Sequence, residues 1–418
     1  MQGGPAAPRV VIVGGGFGGL SAAQALRHVA ADVTLIDRRN HHVFQPLLYQ
    51  VATAALSPGD IAAPIRWILR HQRNLRVWLA EATRVDVDRK VLVLADGEVP
   101  YDYLILSSGS THAYFGHDQW REYAPGLKTL EDALAMRRRV LMAFERAERE
   151  TDKLEQRRLL TFVIIGGGPT GVELAGALAE ISRHALAHDF RAISPESARV
   201  ILIEGSPSVL ASYPPDLSAF AKSALERLGV AVWTGSTVTA IDPGRVQVGS
   251  ETIAAETILW AAGVSASPIG ASLGVPLDRA GRVFVNDDLT VPGHPEIFVV
   301  GDLAALKNRD GKWLPGVAQV AIQEATHAAA NIRRAIAGQA MTPFAYHNLG
   351  NLATIGRNSA VADLPTLKMK GYLAWLFWLF VHVLKLVGFR NRLSVLLQWF
   401  SSYVTYQRSV RLITGRDE

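Results

Sequence analysis

Glycines cluster in two places along this chain, each time directly after a short run of apolar residues. The first run, Arg9–Val13, leads into a glycine-rich turn and then an alanine-rich stretch, and the second run, Thr161–Ile165, does the same. Both clusters have the G-x-G-x-x-G spacing, which predicts two strand–turn–helix units of a doubly wound α/β fold. The residues of the two clusters that we expect to contact a ligand are Gly14, Gly16, Phe17 and Gly19, and Gly166, Gly168, Pro169, Thr170 and Gly171.

The spacing has a chemical reason. One glycine makes a tight turn, one lets the backbone approach a pyrophosphate closely, and one lets the helix pack against the strand. The N-terminus of the following helix adds unpaired N–H groups and a partial positive charge, which favour phosphate. A single copy is weak evidence, because a glycine-rich turn often only joins a strand to a helix. Two copies in the right context predict that the chain binds two dinucleotides.

Each dinucleotide site also needs an acid at the end of its second strand, where carboxylate oxygens accept hydrogen bonds from ribose hydroxyls. Asp37, followed by Arg38, ends the strand predicted at Asp32–Asp37, and Glu204 ends the strand predicted at Arg199–Glu204. A carboxylate repels a 2′-phosphate, so Glu204 favours NADH over NADPH. For either acid, a solvated strand end without a function is the alternative.

Composition excludes several classes of function. The 418 residues contain no cysteine, which excludes disulfides, thiolate metal sites and catalytic dithiols. Residues 346–418 carry nine basic and three acidic residues, so the net charge of +5 resides in this C-terminal region. Neither a basic face on the rest of the chain nor a nucleic-acid-binding motif is evident, which argues against a nucleic-acid partner. The first nine residues lack an apolar signal core, so we expect a protein that faces the cytosol.

Strands and helices alternate along the chain, which predicts parallel sheets with helical crossovers and an α/β fold of two Rossmann-like domains. Helices are predicted at Thr129–Arg158 and Gly316–Ala337. Gly301 and Asp302 follow a buried strand, at the strand end where ligands bind in open α/β sheets. We expect the first domain to begin with residues 1–115 and to be completed by a return segment at residues 281–345. The second domain, with its lead-in helix, is expected at residues 116–280, and a C-terminal tail at residues 346–418.

The tail contains the most apolar stretch of the chain, Gly371–Phe389, whose length is near the ~20 residues that span a bilayer. Helical spacing favours an amphipathic helix instead, with a second one at Leu393–Tyr406. One stripe of the first helix consists of Trp375, Trp378, His382 and Lys385, and its apolar face consists of Leu373, Leu376, Phe377, Phe380, Leu384 and Val387. Tryptophans with basic flanks favour a monotopic anchor in the headgroup region. A helical hairpin packed in a soluble domain or dimer interface, and a spanning helix, are the alternatives.

Beyond the two glycine clusters, five segments resemble one family, the type II NADH:quinone oxidoreductases, which are single-subunit respiratory dehydrogenases that do not pump protons. The resemblance covers nearly the whole chain. The segments are Asn40–Thr53, Trp260–Val264, Val300–Asp302, Ala318–Ala325 and Gly388–Arg392. The glycine clusters belong to a wider flavoprotein superfamily, whereas the segment with two glutamines, Ala318–Ala325, and the tail are more specific. One departure is Ser107–Ser110, which stands where such proteins usually carry Ala-Thr-Gly.

The resemblance implies FAD in the first dinucleotide site, NADH in the second, and a quinone that arrives from the membrane side. It also implies a homodimer attached peripherally to the inner (cytoplasmic) membrane and facing the cytosol. The cofactor performs the chemistry while the protein aligns the reactants and tunes charge, and we expect no metal. Further residues implied at the cofactor sites are Ser108, Gly109, Gly301, Asp302, Ala318, Ala262 and Gly263.

Five residues are candidates for the reaction itself. Gln319 and Gln323 share one helix face, and an amide donates to a quinone carbonyl without a charge that is costly in an apolar pocket. The resemblance places Glu173 near the nicotinamide and flavin, as a proton carrier or charge gate, although an acid in the first turns of a helix is also explained by the helix dipole. His382 and Lys385 are titratable groups for the protons of quinone reduction, with snorkelling towards headgroups as the alternative.

Two other functions fit parts of the sequence. A soluble NAD(P)H-dependent flavoprotein reductase with a protein electron acceptor shares both glycine clusters but does not need an apolar, basic tail. A non-enzymatic flavoprotein that binds NADH as a structural or signalling state predicts slow flavin reoxidation by every quinone.

Overall fold

The computed structural model describes residues 7–405 and 410–414, so Met1 to Ala6 and Tyr406, which entered the predictions above, lie outside the described residues. Strands and helices alternate as the sequence predicts. The strands, in chain order, are β1 (Arg9–Val13), β2 (Asp32–Asp37), β3 (His41–Val43), β4 (Ala62–Pro64), β5 (Leu75–Leu79), β6 (Ala82–Asp86), β7 (Val91–Leu94), β8 (Glu98–Pro100), β9 (Tyr103–Leu106), β10 (Ser110–His112), β11 (Thr161–Ile165), β12 (Arg199–Glu204), β13 (Val230–Thr234), β14 (Val238–Asp242), β15 (Arg245–Val248), β16 (Glu251–Ala254), β17 (Thr257–Trp260), β18 (Val264–Ala266), β19 (Val283–Phe284), β20 (Thr290–Val291), β21 (His294–Val299), β22 (Ala304–Ala305), β23 (Asn351–Gly356), β24 (Ser359–Asp363) and β25 (Lys368–Gly371).

Helices connect many of these strands. They are α1 (Phe17–Ala25), α2 (Leu48–Ala52), α3 (Pro58–Ile61), α4 (Ile65–Ile68), α5 (Leu130–Arg149), α6 (Lys153–Leu159), α7 (Pro169–Glu180), α8 (Pro215–Arg227), α9 (Ala318–Ile336), α10 (Tyr372–Lys385) and α11 (Phe389–Thr405). A π-helical turn at Ile181–Ala185 continues α7. π-helical turns are rare in proteins as a whole, but those that do occur are often found at functional sites.

The chain folds into two compact units. Unit 1 consists of the residues up to His42, Ala63–Thr111 and Val264–Asn348. Its main sheet has the strand order β20-β21-β9-β1-β2-β5, in which β21, β9, β1, β2 and β5 run parallel and β20 is antiparallel. Helices α1 and α9 contact each other. Residues from both helices share one apolar core with β1 and β2, so the first glycine cluster stands on a rigid base.

Unit 2 consists of Val43–Ala62, His112–Gly263 and the residues from Leu349 on. Its parallel sheet has the order β13-β12-β11-β17, and two antiparallel sheets, β14-β15-β16 and β23-β24-β25, accompany it. Helix α7 packs directly on β23: a Cβ at Gly176 would lie 1.6 Å from the carbonyl oxygen of Ile355. Only glycine permits this approach, which holds the sheet of the tail against the helix of the second glycine cluster.

Several element boundaries differ from the predictions. The helix predicted at Thr129–Arg158 is two helices, α5 and α6, because the side chain of Glu150 accepts the N–H groups of Thr151 and Asp152, and Asp152 then caps α6 through the N–H of Leu154. The helix predicted at Gly316–Ala337 is confirmed as α9. The first part of the tail forms the sheet β23-β24-β25, which the sequence analysis does not predict.

Two helices are present in the tail as predicted, but α10 ends at Lys385 and not at Phe389, and α11 already begins at Phe389. Most of their exposed side chains are large and apolar. The exposed large apolar residues of the two helices are Tyr372, Leu373, Leu376, Phe380, Leu384, Leu393, Leu396, Leu397, Phe400 and Tyr403. Within the described part of the chain, no helix has both the length and the apolar character that a membrane crossing requires.

Candidate functional site

The first glycine cluster forms a turn between β1 and α1 that leaves room for a ligand. Gly14 has a φ of +98°, a conformation that L side chains rarely adopt. A Cβ at Gly19 would lie 1.7 Å from the carbonyl oxygen of Gly14, so the helix packs against the turn as the motif requires. No atom lies within 4 Å of where a Cβ at Gly16 would be, which is the open side where a pyrophosphate is expected.

The second cluster repeats this geometry between β11 and α7 in unit 2. Gly166 has a φ of +108°, and a Cβ at Gly171 would lie 1.8 Å from the carbonyl oxygen of Gly166. A Cβ at Gly168 would have no atom within 4 Å. Pro169 and Thr170, the first residues of α7, are exposed, so the positive end of this helix is open to an anion.

The two acids predicted to bind ribose are held in the same way. The N–H of Gly15 donates to Asp37 Oδ2 at 2.5 Å, and the N–H of Gly167 donates to Glu204 Oε2 at 2.5 Å. Each carboxylate also accepts the backbone N–H two residues after it, at 2.7 and 2.6 Å. A carboxylate has about four acceptor positions, so lone pairs are left for ribose hydroxyls. The glycine turn itself therefore orients each acid.

Residues around the first turn complete a cradle in unit 1. Ser107 Oγ donates to the carbonyl oxygen of Val13 at 2.8 Å, and the Oγ of Ser108 is buried without a hydrogen-bond partner. A buried hydroxyl rarely lacks a partner, so Ser108 fits a site completed by a bound group. Gly109, with a φ of +69°, has open space where a Cβ would be. Ser107 and Ser108, which stand where the family usually carries Ala-Thr, are therefore compatible with the cradle.

Phe17 and Arg38 take different positions around this turn. Phe17 packs edge-on against His42, with ring centroids 5.0 Å apart, and His42 Nδ1 contacts the carbonyl oxygen of Gly15 at 3.0 Å. Burial lowers the pKa of His42, so its imidazole is neutral at pH 7. The guanidinium of Arg38 is largely exposed, 3.8 Å from Glu81. His42 lies in Asn40–Thr53, a segment that carries the family resemblance, but it is not among the predicted site residues.

The Gly301–Asp302 turn is held by two residues that the sequence analysis does not select. Ser110 Oγ donates to Asp302 Oδ2 at 2.5 Å. The N–H of Gly301 donates to Glu324 Oε2 at 2.6 Å, and burial raises the pKa of Glu324 to about 8. Glu324 lies inside Ala318–Ala325, a segment that carries the family resemblance, whereas Ser110 lies in Ser107–Ser110, where the sequence departs from the family. Together they fix the strand end where a ligand is expected.

Helix α9 begins at Ala318 and places Gln319 and Gln323 one turn apart. The amide of Gln323 is used within the protein: its Nε2 donates to the carbonyl oxygen of His347 at 2.9 Å, and its Oε1 accepts the N–H of His347 at 3.0 Å. These two bonds fasten the end of unit 1 to α9. Gln319 and Gln323 are both half-buried.

Ala262 and Gly263 follow β17, the neighbour of β11 in the sheet of unit 2. A Cβ at Gly166 would lie 2.6 Å from the Cα of Ala262. A Cβ at Gly263 would lie 2.6 Å from Cζ of Phe115. The second glycine turn and the strand end at Ala262 therefore meet at one edge of the sheet, where dinucleotides bind in doubly wound folds.

A cavity of about 310 Å³ lies within unit 2. Glu173 of α7, the π-helical turn after α7, β23 and both tail helices contribute to its lining. Burial raises the pKa of Glu173 to about 8, although the backbone N–H of Thr354 donates to its carboxyl group and opposes the shift. Glu173 is therefore mainly protonated at pH 7 and holds a proton at the wall of the cavity.

Aromatic side chains line the tail side of this cavity. Trp399 Nε1 donates to Gln50 Oε1 at 2.7 Å, and Trp375 stacks on Tyr403 with ring centroids 5.8 Å apart. The Nε1 of Trp378 is buried without a hydrogen-bond partner, although Trp indoles usually find one when buried. A flat ligand with a carbonyl group fits such walls, since aromatic rings stack and an indole N–H donates.

The stripe predicted on the first tail helix faces the protein in part. Trp378 is only 3% exposed and stacks on His382 with ring centroids 4.3 Å apart. His382 Nδ1 contacts the carbonyl oxygen of Trp378 at 2.7 Å, and burial lowers the pKa of His382 to about 4. Lys385 is exposed. The side chain of His382 is half-buried, and most of the predicted apolar face of this helix is exposed.

Comparisons with known proteins agree with this geometry. The model of the pyridine nucleotide-disulphide oxidoreductase family matches residues 8–329, and that of the NDH2 C-terminal domain matches residues 348–407. Among solved structures, NDH2 from Plasmodium falciparum in complex with NADH has a TM-score of 0.88 at 22% identity and covers 98% of this chain and 100% of that chain. A sulfide:quinone oxidoreductase from Aquifex aeolicus has a TM-score of 0.74 at 20% identity over 95% and 94% of the two chains.

Sequence relatives are much closer. Two type II NADH:quinone oxidoreductases of Mycobacterium tuberculosis are 46% and 43% identical to this chain. The first alignment covers 98% of this chain and 90% of the relative, and the second covers 99% and 91%. The structural likeness establishes the fold, and these relatives establish the family: this chain belongs to the type II NADH:quinone oxidoreductases.

Proposed function

We propose that this chain oxidises NADH and reduces a lipophilic quinone at a membrane surface, with FAD as its bound cofactor and without pumping protons. The observation that carries the proposal is the pair of dinucleotide cradles, each with an oriented ribose acid, in one chain whose tail exposes an apolar face. When bound, FAD accepts a hydride from NADH and delivers two electrons to the quinone.

Unit 1 is the part that we propose holds FAD. The N–H groups at the start of α1 favour the pyrophosphate beside Gly16, and Asp37 accepts ribose hydroxyls. Ser108 supplies the unsatisfied hydroxyl, and the Gly301–Asp302 turn, fixed by Glu324, closes the strand end. The N-terminus of α9 favours negative charge on a reduced cofactor near Ala318 and Gln319.

Unit 2 is the part that we propose binds NADH. Gly168 leaves room for the pyrophosphate at the exposed start of α7, and Thr170 has a hydroxyl there. Glu204 accepts the ribose hydroxyls and disfavours a 2′-phosphate. Ala262 and Gly263 form the neighbouring strand end, beside the glycine turn at Gly166, where we place the nicotinamide half. In terms of the predicted domains, residues 116–280 supply this site.

The cavity beside Glu173 supports the quinone half of the reaction. Quinone reduction consumes two protons, and Glu173 holds one at a wall lined with aromatic rings. The indole N–H of Trp378 has no hydrogen-bond partner within the described residues, and we propose that it donates to a carbonyl oxygen of the quinone. His382, with a pKa near 4, is neutral at pH 7, so Glu173 is the better proton donor of the two. Lys385 is exposed and fits a role at the lipid headgroups.

Membrane attachment through α10 and α11 is supported by the apolar residues that both helices expose. We extend the proposal to a peripheral protein on the cytosolic side of the inner membrane and to a homodimer, both of which rest on the family resemblance. A protein electron acceptor, the main alternative, does not explain why two neighbouring helices expose this many large apolar side chains.

Steady-state NADH oxidation with a short-chain quinone tests the proposal. We expect turnover with NADH and much slower turnover with NADPH. Glu204→Ala should raise KM for NADH about 10-fold, which corresponds to a loss of about 1.4 kcal/mol of binding free energy. It should also narrow the preference for NADH over NADPH. Glu251→Ala, at an exposed strand position of the same unit, is the matched control. Turnover with ferredoxin-type proteins but with no quinone would contradict the proposal.

A further inference from the structure

A cluster of arginines on unit 1 has no role in the reaction described above. The segment from Arg66 to Trp78 contains four arginines, one histidine and two tryptophans, and no acidic residue. It comprises most of α4, the turn that follows and most of β5. Three of the arginines, Arg66, Arg70 and Arg76, line an open surface cavity of about 470 Å³ together with Trp78.

These guanidinium groups lack carboxylate partners. None of Arg66, Arg70 and Arg76 forms an ion pair with any residue that the structure describes, and all three are exposed. The guanidinium of Arg70 lies 4.5 Å from the ring centroid of Trp67 and donates to the carbonyl oxygen of Trp67 at 2.7 Å. Like charges that share one cavity repel each other, so the arrangement favours an anionic ligand.

Large apolar side chains surround the cluster. Trp67 is 46% exposed, Trp78 is 40% exposed, and Leu79 is 62% exposed. Tryptophan and arginine side by side are typical of a protein surface at lipid headgroups, where the indole lies in the interface and the guanidinium binds phosphate. If the ligand were a free phosphate ion in water, the exposed tryptophans beside its site would have no explanation.

Protection of a sheet edge against pairing with other chains explains only one arginine of the cluster. Strand β5 is the edge of the main sheet of unit 1, and a charged residue on an edge strand discourages pairing with other chains. That role accounts for Arg76. Arg66 and Arg70 lie outside the strand, on α4 and in the turn after it, and they converge with Arg76 on the same cavity.

We propose that Arg66, Arg70 and Arg76 bind the headgroup phosphate of an anionic phospholipid, with Trp67 and Trp78 in the lipid interface. This site goes beyond the apolar face of the tail, because it gives the protein a preference for negatively charged membranes. It rests on the proposed membrane association, which the tail helices support independently.

Co-sedimentation of the full-length holoenzyme with vesicles tests the proposal. One set of vesicles is phosphatidylcholine and the other is phosphatidylcholine mixed with phosphatidylglycerol. The triple variant R66Q/R70Q/R76Q should lose about 10- to 100-fold of its partition onto the anionic vesicles at low salt, and little on the neutral ones. The control R149Q/R227Q/R245Q removes the same charge from exposed positions of unit 2 and should lose far less. Thermal unfolding of both variants should match the wild type.

Three outcomes would overturn the site. Equal loss in both triple variants would show that only net charge matters. Equal binding of the wild type to both kinds of vesicle would remove the headgroup preference while leaving the tail as the anchor. Titration of the wild type with inorganic phosphate that displaces it from anionic vesicles at low millimolar concentration would assign the cluster to a soluble anion. A wild type that binds no vesicle at all would instead contradict the proposed function.

Discussion

Two glutamate side chains show how burial sets chemistry at single residues. Glu173 and Glu324 both have an ordinary pKa of 4.5 raised to about 8 by burial. Because the folded-state value is the higher one, each neutral carboxyl contributes stability that is complete below about pH 4.5 and is lost as the pH rises from 4.5 to 8. Glu324 uses its carboxyl to hold the N–H of Gly301, whereas Glu173 lines the cavity of unit 2.

Glu173→Gln tests the proposed proton donor. Glutamine keeps the size and the acceptor oxygen but carries no transferable acid proton, so we expect quinone reduction to slow by about 10-fold or more. In the wild type this rate should fall as the pH rises through about 8, because Glu173 loses its proton there. The variant should lack that decline. Stopped-flow reoxidation of the reduced enzyme by quinone, between pH 6 and 10, gives both curves.

Glu226→Gln is the matched control for this experiment, since Glu226 lies on the exposed side of α8 in the same unit. It should leave the rate and its pH dependence unchanged. If Glu173→Gln keeps the decline near pH 8, the titrating group is another residue and the assignment fails.

Gln319 and Gln323 should respond differently to substitution. Gln323→Leu removes two hydrogen bonds to the backbone of His347, so we expect the free energy of unfolding to fall by about 1–3 kcal/mol. Gln319→Leu should instead slow quinone reduction while flavin reduction by NADH changes little. Thermal unfolding and the two half-reactions, measured on each variant, separate the effects. An unchanged stability of Gln323→Leu would show that the contacts of Gln323 with His347 contribute nothing to folding.

At the residue scale, the sequence predicts those features that depend only on the spacing and charge of residues. The positions of Gly14, Gly16 and Gly19 in the turn and of Asp37 at the strand end follow from the motif alone. The partner of Gln323 does not, because His347 lies beyond the helix and the pairing depends on how the chain returns. The neutral state of His382 likewise depends on burial against Trp378, which spacing along one helix does not reveal.

At the scale of elements, the tail combines an inner face that lines a cavity with an outer face that is apolar. Trp378 of α10 and Trp399 of α11 face inward, and their rings lie 5.5 Å apart. Leu373 and Phe400, each 69% exposed, face outward. One pair of helices therefore serves both the quinone cavity and the membrane surface in the proposed function, which shortens the path of a lipophilic substrate.

Replacing part of the outer face tests the membrane role of α10. The triple variant L376Q/F380Q/L384Q removes three exposed apolar side chains, each of which contributes about 1.5 kcal/mol when it is buried in lipid. We expect binding to lipid vesicles to weaken by about 100-fold or more, with thermal stability almost unchanged because the residues are exposed. L154Q, at an exposed leucine of α6, is the control. Retention of full vesicle binding by the triple variant would exclude this face as the anchor.

Element boundaries show what the sequence pattern misses. Helical periodicity continues from Thr129 to Arg158, but local hydrogen bonds of Glu150 and Asp152 interrupt the helix, and periodicity does not detect them. The sheet β23-β24-β25 is made of short strands whose stability comes from packing on α7, through the close approach at Gly176. Such tertiary support overrides weak local propensity.

At the scale of the whole molecule, two similar strand–glycine–helix units supply two dinucleotide sites, and the tail supplies an apolar surface. Duplication explains why Asp37 and Glu204, the acids that we propose bind ribose, are held by equivalent N–H groups, from Gly15 and Gly167. The fold class and the family were predictable from the sequence, because both depend on motifs with fixed spacing. The second role of the tail, as the wall of a cavity with Glu173, emerges only when the chain is folded.

An anaerobic flavin spectrum taken in two steps tests the central claim most directly. NADH is added to the purified holoenzyme, and a soluble quinone analogue follows. We expect NADH to bleach the flavin absorbance and the quinone to restore it promptly, which establishes both half-reactions in one sample. Bleaching without recovery, with ubiquinone and menaquinone analogues alike, would contradict quinone reduction and favour a protein acceptor or a non-enzymatic role.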